Sequence, residues 1–206
     1  MTTSGKKLDA SFYTRPDVVR LSRALLGKVL CTHFDGKRTE AVITETEAYA
    51  GVHDKASHAY GGRRTPRTDV MYWAGGHAYI YLCYGMYSLF NVVTNVKNVP
   101  HAVLIRGAVP LTGLDVMLER MKKSKVSPNL LTGPGKLSKA LGLHYSFTGA
   151  SLLGDRIWIE DRGFRIPAKA IAVTSRIGID YAGDDAALPY RFVVESRPPL
   201  WAIYDF

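Results

Sequence analysis

Apolar and polar residues change period twice within the first third of the chain. From Pro16 to Leu26, the residues Val18, Val19, Leu21, Leu25 and Leu26 recur at helical spacing, and Gly27 stands where a cap would end the helix. Alternation then takes over. Residues 28–34 and 39–49 read as two strands joined by a tight turn at Asp35-Gly36. Residues 50–67 break the pattern with polar side chains, paired glycines and three arginines, and they predict a long loop. Loops of that size are uncommon unless they carry binding or catalysis.

The rest of the chain mixes both periods. Strands are expected at 78–83, 88–96 and 101–109, with an exposed tip at Tyr84-Gly85-Met86-Tyr87 between the first two. Thr112 can cap a helix that runs through Met121 into the basic run Lys122-Lys123-Ser124-Lys125. Gly133-Pro134 opens another helix, which Gly142 closes. Further strands are expected at 156–160, 168–174 and 191–195, and residues 1–8 read as a flexible tail. There is no βαβ rhythm, no internal repeat and no linker. The pattern therefore predicts one α+β domain across residues 1–206, with a mostly antiparallel curved sheet, surrounding helices and a protruding hairpin.

Composition narrows the class. With 47% apolar and 22% charged residues, wholesale disorder is excluded. No apolar run is long enough for a membrane helix, and the N-terminal charges have no apolar core behind them, so neither membrane association nor a secretory leader is expected. Two cysteines, Cys31 and Cys83, make no disulfide framework and point to a reducing compartment. Twenty-seven Lys and Arg against eighteen Asp and Glu leave a net charge of +9, which favours a polyanionic partner over a merely basic surface.

Three groups of residues could carry chemistry. In Glu45-Thr46-Glu47-Ala48-Tyr49, strand geometry puts Glu45, Glu47 and Tyr49 on one face. A solvated edge is the plain reading; water activation by a carboxylate, or a carbohydrate-glycosidase pair of Glu45 and Glu47, are the functional ones. The second group is the tyrosine hairpin. Tyr79, Tyr81 and Cys83 share a face, Asn91 interrupts an apolar strand, and Tyr84 and Met86 sit at the tip like a wedge that could enter a base stack. Third, Arg106 inside Val103-Leu104-Ile105-Arg106 needs a carboxylate partner, for which Glu45 and Glu47 are candidates. His53 and His58 lack a third ligand at recognisable spacing, so no metal is expected. Gly133-Pro134-Gly135-Lys136 is not a P-loop, because Leu130 and Leu137 stand where it needs glycine and a hydroxyl residue. It can still offer backbone N–H groups to one phosphate.

With these residues in order, the chain resembles the alkyladenine (3-methyladenine, methylpurine-type) DNA glycosylases from about Phe12 to Phe192. The likeness is carried by Ala24-Leu25-Leu26-Gly27, Glu45-Thr46-Glu47-Ala48-Tyr49, Ala56-Ser57-His58-Ala59, Tyr79-Ile80-Tyr81 and Tyr84-Gly85-Met86. It continues through Asn91-Val92, Val103-Leu104-Ile105-Arg106, Gly133-Pro134-Gly135-Lys136-Leu137 and Arg176-Ile177-Gly178-Ile179. The resemblance implies that Glu47 is the base that activates water and that Arg106 helps hold that water. It implies that Tyr49, His58 and Tyr81 wall the base pocket, that Asn91 crowds the 2-amino group of guanine, and that Tyr84, with Met86, fills the gap left by a flipped nucleotide. Arg63, Arg67 and Lys136 are expected at DNA phosphates.

The implied partner is duplex DNA carrying damaged purines, bound by a monomer without cofactor. The implied reaction is hydrolysis without a lyase step, since no lysine is among the residues implied for catalysis or the base pocket. A cytoplasmic location is expected, nuclear in a eukaryote. A noncatalytic nucleic-acid-binding module is the other reading of the basic surface. The chain departs from the family pattern at Thr68, where asparagine is frequent, at Gly75-Gly76, where Pro-Gly is frequent, and over residues 196–206.

Overall fold

The computed structural model describes residues 5–195. Nine strands and four α-helices occur among them: β1 (Lys6–Lys7), α1 (Ala10–Tyr13), α2 (Val18–Ala24), β2 (Val29–Phe34), β3 (Lys37–Tyr49), β4 (Ala78–Cys83), β5 (Tyr87–Thr94), β6 (His101–Thr112), α3 (Leu114–Met121), α4 (Pro134–Leu141), β7 (Ile157–Asp161), β8 (Ile171–Thr174) and β9 (Arg191–Val194). The sheet runs β1-β7-β2-β3-β6-β5-β4, and β9 joins β3 and carries β8. Every pairing is antiparallel. The architecture is the single α+β domain that the pattern predicts.

β3 is the axis of the molecule. One edge pairs with β6 along most of its length; the other pairs first with β2 and then, over Glu45–Glu47, with β9. Midway, Thr44 and Glu45 together advance past Gly107, and Arg106 is then the extra residue on β6 before Thr46 meets Ile105. Such bulges re-aim side chains, because a one-residue offset exchanges the two faces. Before the bulge Ala41 and Ile43 enter the main core; after it Ala48 does, while Thr46 bonds to Ser22 on α2. Glu45, Glu47 and Tyr49 are thereby turned to the opposite face. Had the alternation continued unbroken, both carboxylates would point into the apolar core, at a prohibitive cost.

That core lies beneath α2 and α4, where Leu21, Leu25, Leu137 and Leu141 pack on Phe90, Ile105 and Ile43. Each such side chain contributes about 1.5–3 kcal/mol when fully buried. A smaller cluster on the other face, built from Val70, Met71, Tyr79, Val93 and Ala102, floors the region around the carboxylates.

Two expectations need correction. Lys6 and Lys7 are no tail: they pair with Asp161 and Glu160 on β7, and Lys7 Nζ donates to Gly154 O and to Asp155. Residues 1–4 and 196–206 lie outside the described residues. Thr112 ends β6 rather than capping α3; its hydroxyl donates to Glu40, and Gly113 with a positive φ makes the corner. The long loop expected over 50–67 is present. It winds through short 3₁₀ turns at Gly51–His53 and Tyr60–Gly62, and its base is clamped by the buried Asp54–Arg176 pair.

Candidate active site

The sheet face that receives Glu45, Glu47 and Tyr49 opens into a cavity of about 200 Å³. Tyr49, His58, Tyr81, Asn91 and Arg106, five of the expected site residues, line it, with Tyr84 at its mouth. They come from β3, β4, β5, β6, the hairpin tip and the 50–67 loop, so no local stretch of sequence builds the pocket.

Glu47 lies directly behind the wall, with no exposed surface. Its Oε1 accepts the Ile177 N–H at 2.9 Å and lies 3.3 Å from Arg106 Nε; its Oε2 accepts the Tyr49 hydroxyl at 2.8 Å and Arg106 Nη1 at 3.5 Å. Tyr49, Arg106 and Ile177, the three groups that contact the carboxylate, all face the cavity. Burial pushes the Glu47 carboxyl above its ordinary pKa, against the pull of Arg106, the Ile177 N–H and the Tyr49 hydroxyl. A buried carboxyl with raised proton affinity is a stronger base than one in water, provided it stays ionised at working pH. The solvated-edge reading of this strand is therefore excluded: Glu45 and Glu47 are both buried.

The aromatic wall is tied together by its own hydrogen bonds. His58 Nδ1 and the Tyr79 hydroxyl are 2.7 Å apart, and the His58 ring meets Tyr81 edge-on with centroids 4.7 Å apart. Burial first, then Arg67 and Arg63, push the His58 pKa down to about 4, so the ring is neutral at pH 7. It can offer one donor and one acceptor but no charge. Arg67 lies over the Tyr81 ring at 5.1 Å, and Arg67, Arg63 and Lys136 are all exposed. Asn91 is buried, and its Nδ2 donates to Tyr79 O and Leu89 O. The interruption of that apolar strand is thus satisfied by backbone carbonyls, and the amide is held in one orientation.

The hairpin tip presents the opposite character. Tyr84 is 87% exposed and Met86 70% exposed. Tyr84 also takes a φ of 50°, and Gly85 one of 70°. A bulky residue in the left-handed region at an exposed apolar tip is strained, and such strain concentrates at functional positions.

Several contributors carry little signal in the sequence. Tyr181 lines the cavity, and its hydroxyl donates to Ala56 O. The Ile177 N–H bonds to Glu47, and Arg191 Nε donates to Glu45 Oε1 at 2.8 Å. A backbone N–H leaves no trace in residue type. Arg191 did carry a signal, as a charge opening a short apolar strand. Two of the sequence departures fall within the described residues. Thr68 Oγ1 accepts from Thr65 N within the loop, and a side chain at Gly75 would collide with the Tyr13 carbonyl.

A buried carboxylate, a guanidinium and an aromatic cavity beneath an exposed apolar wedge make an arrangement suited to hydrolysing a bond to a flat base drawn out of its stack. Comparison with known proteins identifies the family. The model of the methylpurine-DNA glycosylase (MPG) family matches residues 11–198, and the chain belongs to that family. Relatives named "Putative 3-methyladenine DNA glycosylase" include one from Chlamydia abortus, 48% identical over 191 residues, covering 92% of this chain and 99% of the relative. Another, from Desulfitobacterium hafniense, is 42% identical over 198 residues, covering 93% and 96%. One from Bacillus cereus is 43% identical over 196 residues, covering 91% and 95%. The chain is thus a methylpurine-type DNA glycosylase, a hydrolase of base-excision repair acting on DNA. Among the described residues, no helix is long and apolar enough to cross a membrane.

Proposed function

We propose that this glycosylase flips damaged purines (3-methyladenine, 7-methylguanine, hypoxanthine and ethenoadenine) out of duplex DNA and hydrolyses the N-glycosidic bond with water activated by Glu47. The observation that carries the reading is the placement of Glu47: fully buried, bonded by three groups that themselves face a tyrosine-lined cavity. Tyr84 and Met86 fill the vacated stack. Tyr49, His58 and Tyr81 contact the extruded base, which for alkylated purines is cationic and stacks well on electron-rich rings.

As the C–N bond lengthens, the sugar acquires oxocarbenium character, which the Glu47 carboxylate stabilises electrostatically while accepting a proton from the attacking water. Arg106 keeps that carboxylate ionised and orients the water. The water oxygen bonds to C1′, the base departs with the glycosidic electron pair, and an abasic site remains. None of the described residues lining the cavity is a lysine, which supports a monofunctional reaction without an imine step. Arg63, Arg67 and Lys136 contact phosphates, the enzyme works as a monomer, and it resides with the DNA in the cytoplasm.

The test is a duplex oligonucleotide carrying one 7-methylguanine, assayed for abasic sites under single-turnover conditions. E47Q should bind the lesion duplex as wild type does and lose about 10²–10⁴-fold in excision rate. Excision within a few-fold of wild type would remove Glu47 from the mechanism.

A further inference from the structure

We propose that Glu45 is a positioning residue: anchored by Arg191, it holds the Arg106 guanidinium back, so that its contacts to Glu47 stay long and the carboxylate stays ready to take a proton from water. This rests on the assignment of Glu47 as the base.

The geometry favours Glu45 as the principal partner of Arg106. Arg106 Nε donates to Glu45 Oε1 at 3.1 Å, while its two contacts to Glu47 are longer, Nε to Oε1 at 3.3 Å and Nη1 to Oε2 at 3.5 Å. Glu45 Oε1 also accepts Arg191 Nε at 2.8 Å, and Arg191 Nη1 donates in turn to Thr174 Oγ1 at 3.1 Å. The result is a row of alternating charges, Arg191, Glu45, Arg106, Glu47, reaching from β8–β9 to the cavity. Two guanidiniums balance two carboxylates.

The backbone is shaped to seat Glu45. It occupies the β3 bulge opposite Gly107, where a Cβ would lie 3.1 Å from Glu45 Cβ and 3.2 Å from its Oε2. Only glycine leaves that space clear. Building a buried ion pair this close to another carboxylate is costly, and a solvent-shielded guanidinium beside Glu47 alone would settle into a bidentate fork with it. Such a fork would tighten the contacts to both Glu47 oxygens, now 3.3 and 3.5 Å, and weaken the base. Glu45 draws the guanidinium away.

The charges around Glu47 set the sign of the test. Arg106 faces it from β6 and Arg191 from β9, while Arg176, paired with Asp54, and Tyr181 face it from the segment after β8; Tyr49 and Glu45 share its own strand. Removing the Glu45 charge lowers the proton affinity of Glu47, both directly and by releasing Arg106 towards it. Removing the Arg191 charge does the reverse.

Single-turnover excision of 7-methylguanine is measured against pH for wild type, E45Q, R191Q and E47Q, alongside lesion binding and thermal unfolding. E45Q should bind normally, lose about 10²-fold in the plateau rate, as a misplaced group near the reacting atoms does, and move the acid limb to lower pH. R191Q should lose less and move the acid limb to higher pH. If E45Q reaches the wild-type plateau, with or without a change in melting temperature, Glu45 only packs the bulge and the proposal fails. Should E45Q not fold, R191Q decides, and a wild-type profile there overturns the proposal. Normal excision by E47Q would instead sink the reading of the site itself.

Discussion

At the scale of single residues, the structure adds constraint to what the side chains suggest. Asn91 is the clearest case. A polar amide in an apolar strand must find partners, and it finds two carbonyls, Tyr79 O and Leu89 O. An amide so fixed cannot swing away from a base entering the cavity, which suits the role of excluding guanine through its 2-amino group. Removing a clash should relax the exclusion. N91S keeps a hydroxyl for one of the carbonyls and should release unmodified guanine from mispaired duplex measurably faster than wild type, with Glu47 still required. The lost amide bonds should also cost about 1–3 kcal/mol of stability. If guanine release stays at background while hypoxanthine excision is intact, the pocket rejects guanine elsewhere.

Elements decide where those residues point. The hairpin of β4 and β5 was legible from alternation, and so was its apolar tip. Its footing was not. Tyr87, at the base of the tip, packs on Gly135 in α4, where a Cβ would lie 3.0 Å from the Tyr87 ring. The glycine-rich start of α4 therefore seats the wedge, a use that its likeness to phosphate-binding loops did not suggest. With the hairpin braced in this way, Y84A should remove the wedge without disturbing the strands. The expected result is a larger loss of excision from duplex than from single-stranded DNA, because filling the vacated stack offsets an unstacking cost of a few kcal/mol. Equal losses on both substrates would leave Tyr84 as packing only. The β3 bulge is the other decisive element. Alternation puts Glu45, Glu47 and Tyr49 on one face, as observed, but the exchange of faces at Thr44–Glu45 depends on pairing with β6 and is invisible in β3 alone.

For the whole molecule, the site depends on the segment after β8 closing over the 50–67 loop. Arg176, its side chain fully buried, holds both Asp54 oxygens, at 2.5 and 2.9 Å, and also donates to Ala48 O and Asp185 O. The next residue supplies the N–H that reaches Glu47. D54A would leave this guanidinium buried without its counter-ion, a change that costs about 3–5 kcal/mol. Urea unfolding should register a loss of that size, and excision should fall with it as the Ile177 N–H drifts from Glu47. A loss below about 1 kcal/mol would mean that water or the neighbouring carbonyls satisfy Arg176 without Asp54.

Local patterning in the sequence determined the antiparallel α+β class, the hairpin, both long β3 faces beyond the bulge and the residue types of the pocket. Alternation, turn glycines and polar residues in apolar runs each have a short-range physical cause, so each can be read from neighbours along the chain. The tertiary structure alone decided which carboxylate lies behind the cavity wall and which holds Arg106, since both occupy equivalent positions on one strand. It also decided that Lys6 and Lys7 close the sheet, that Gly107 clears space for Glu45, and that a backbone N–H from Ile177 completes the shell of Glu47. Those outcomes are set by strand register and by contacts between residues far apart along the chain, 61 positions for Glu45–Arg106 and 130 for Glu47–Ile177, where energies depend on distances that no local pattern encodes.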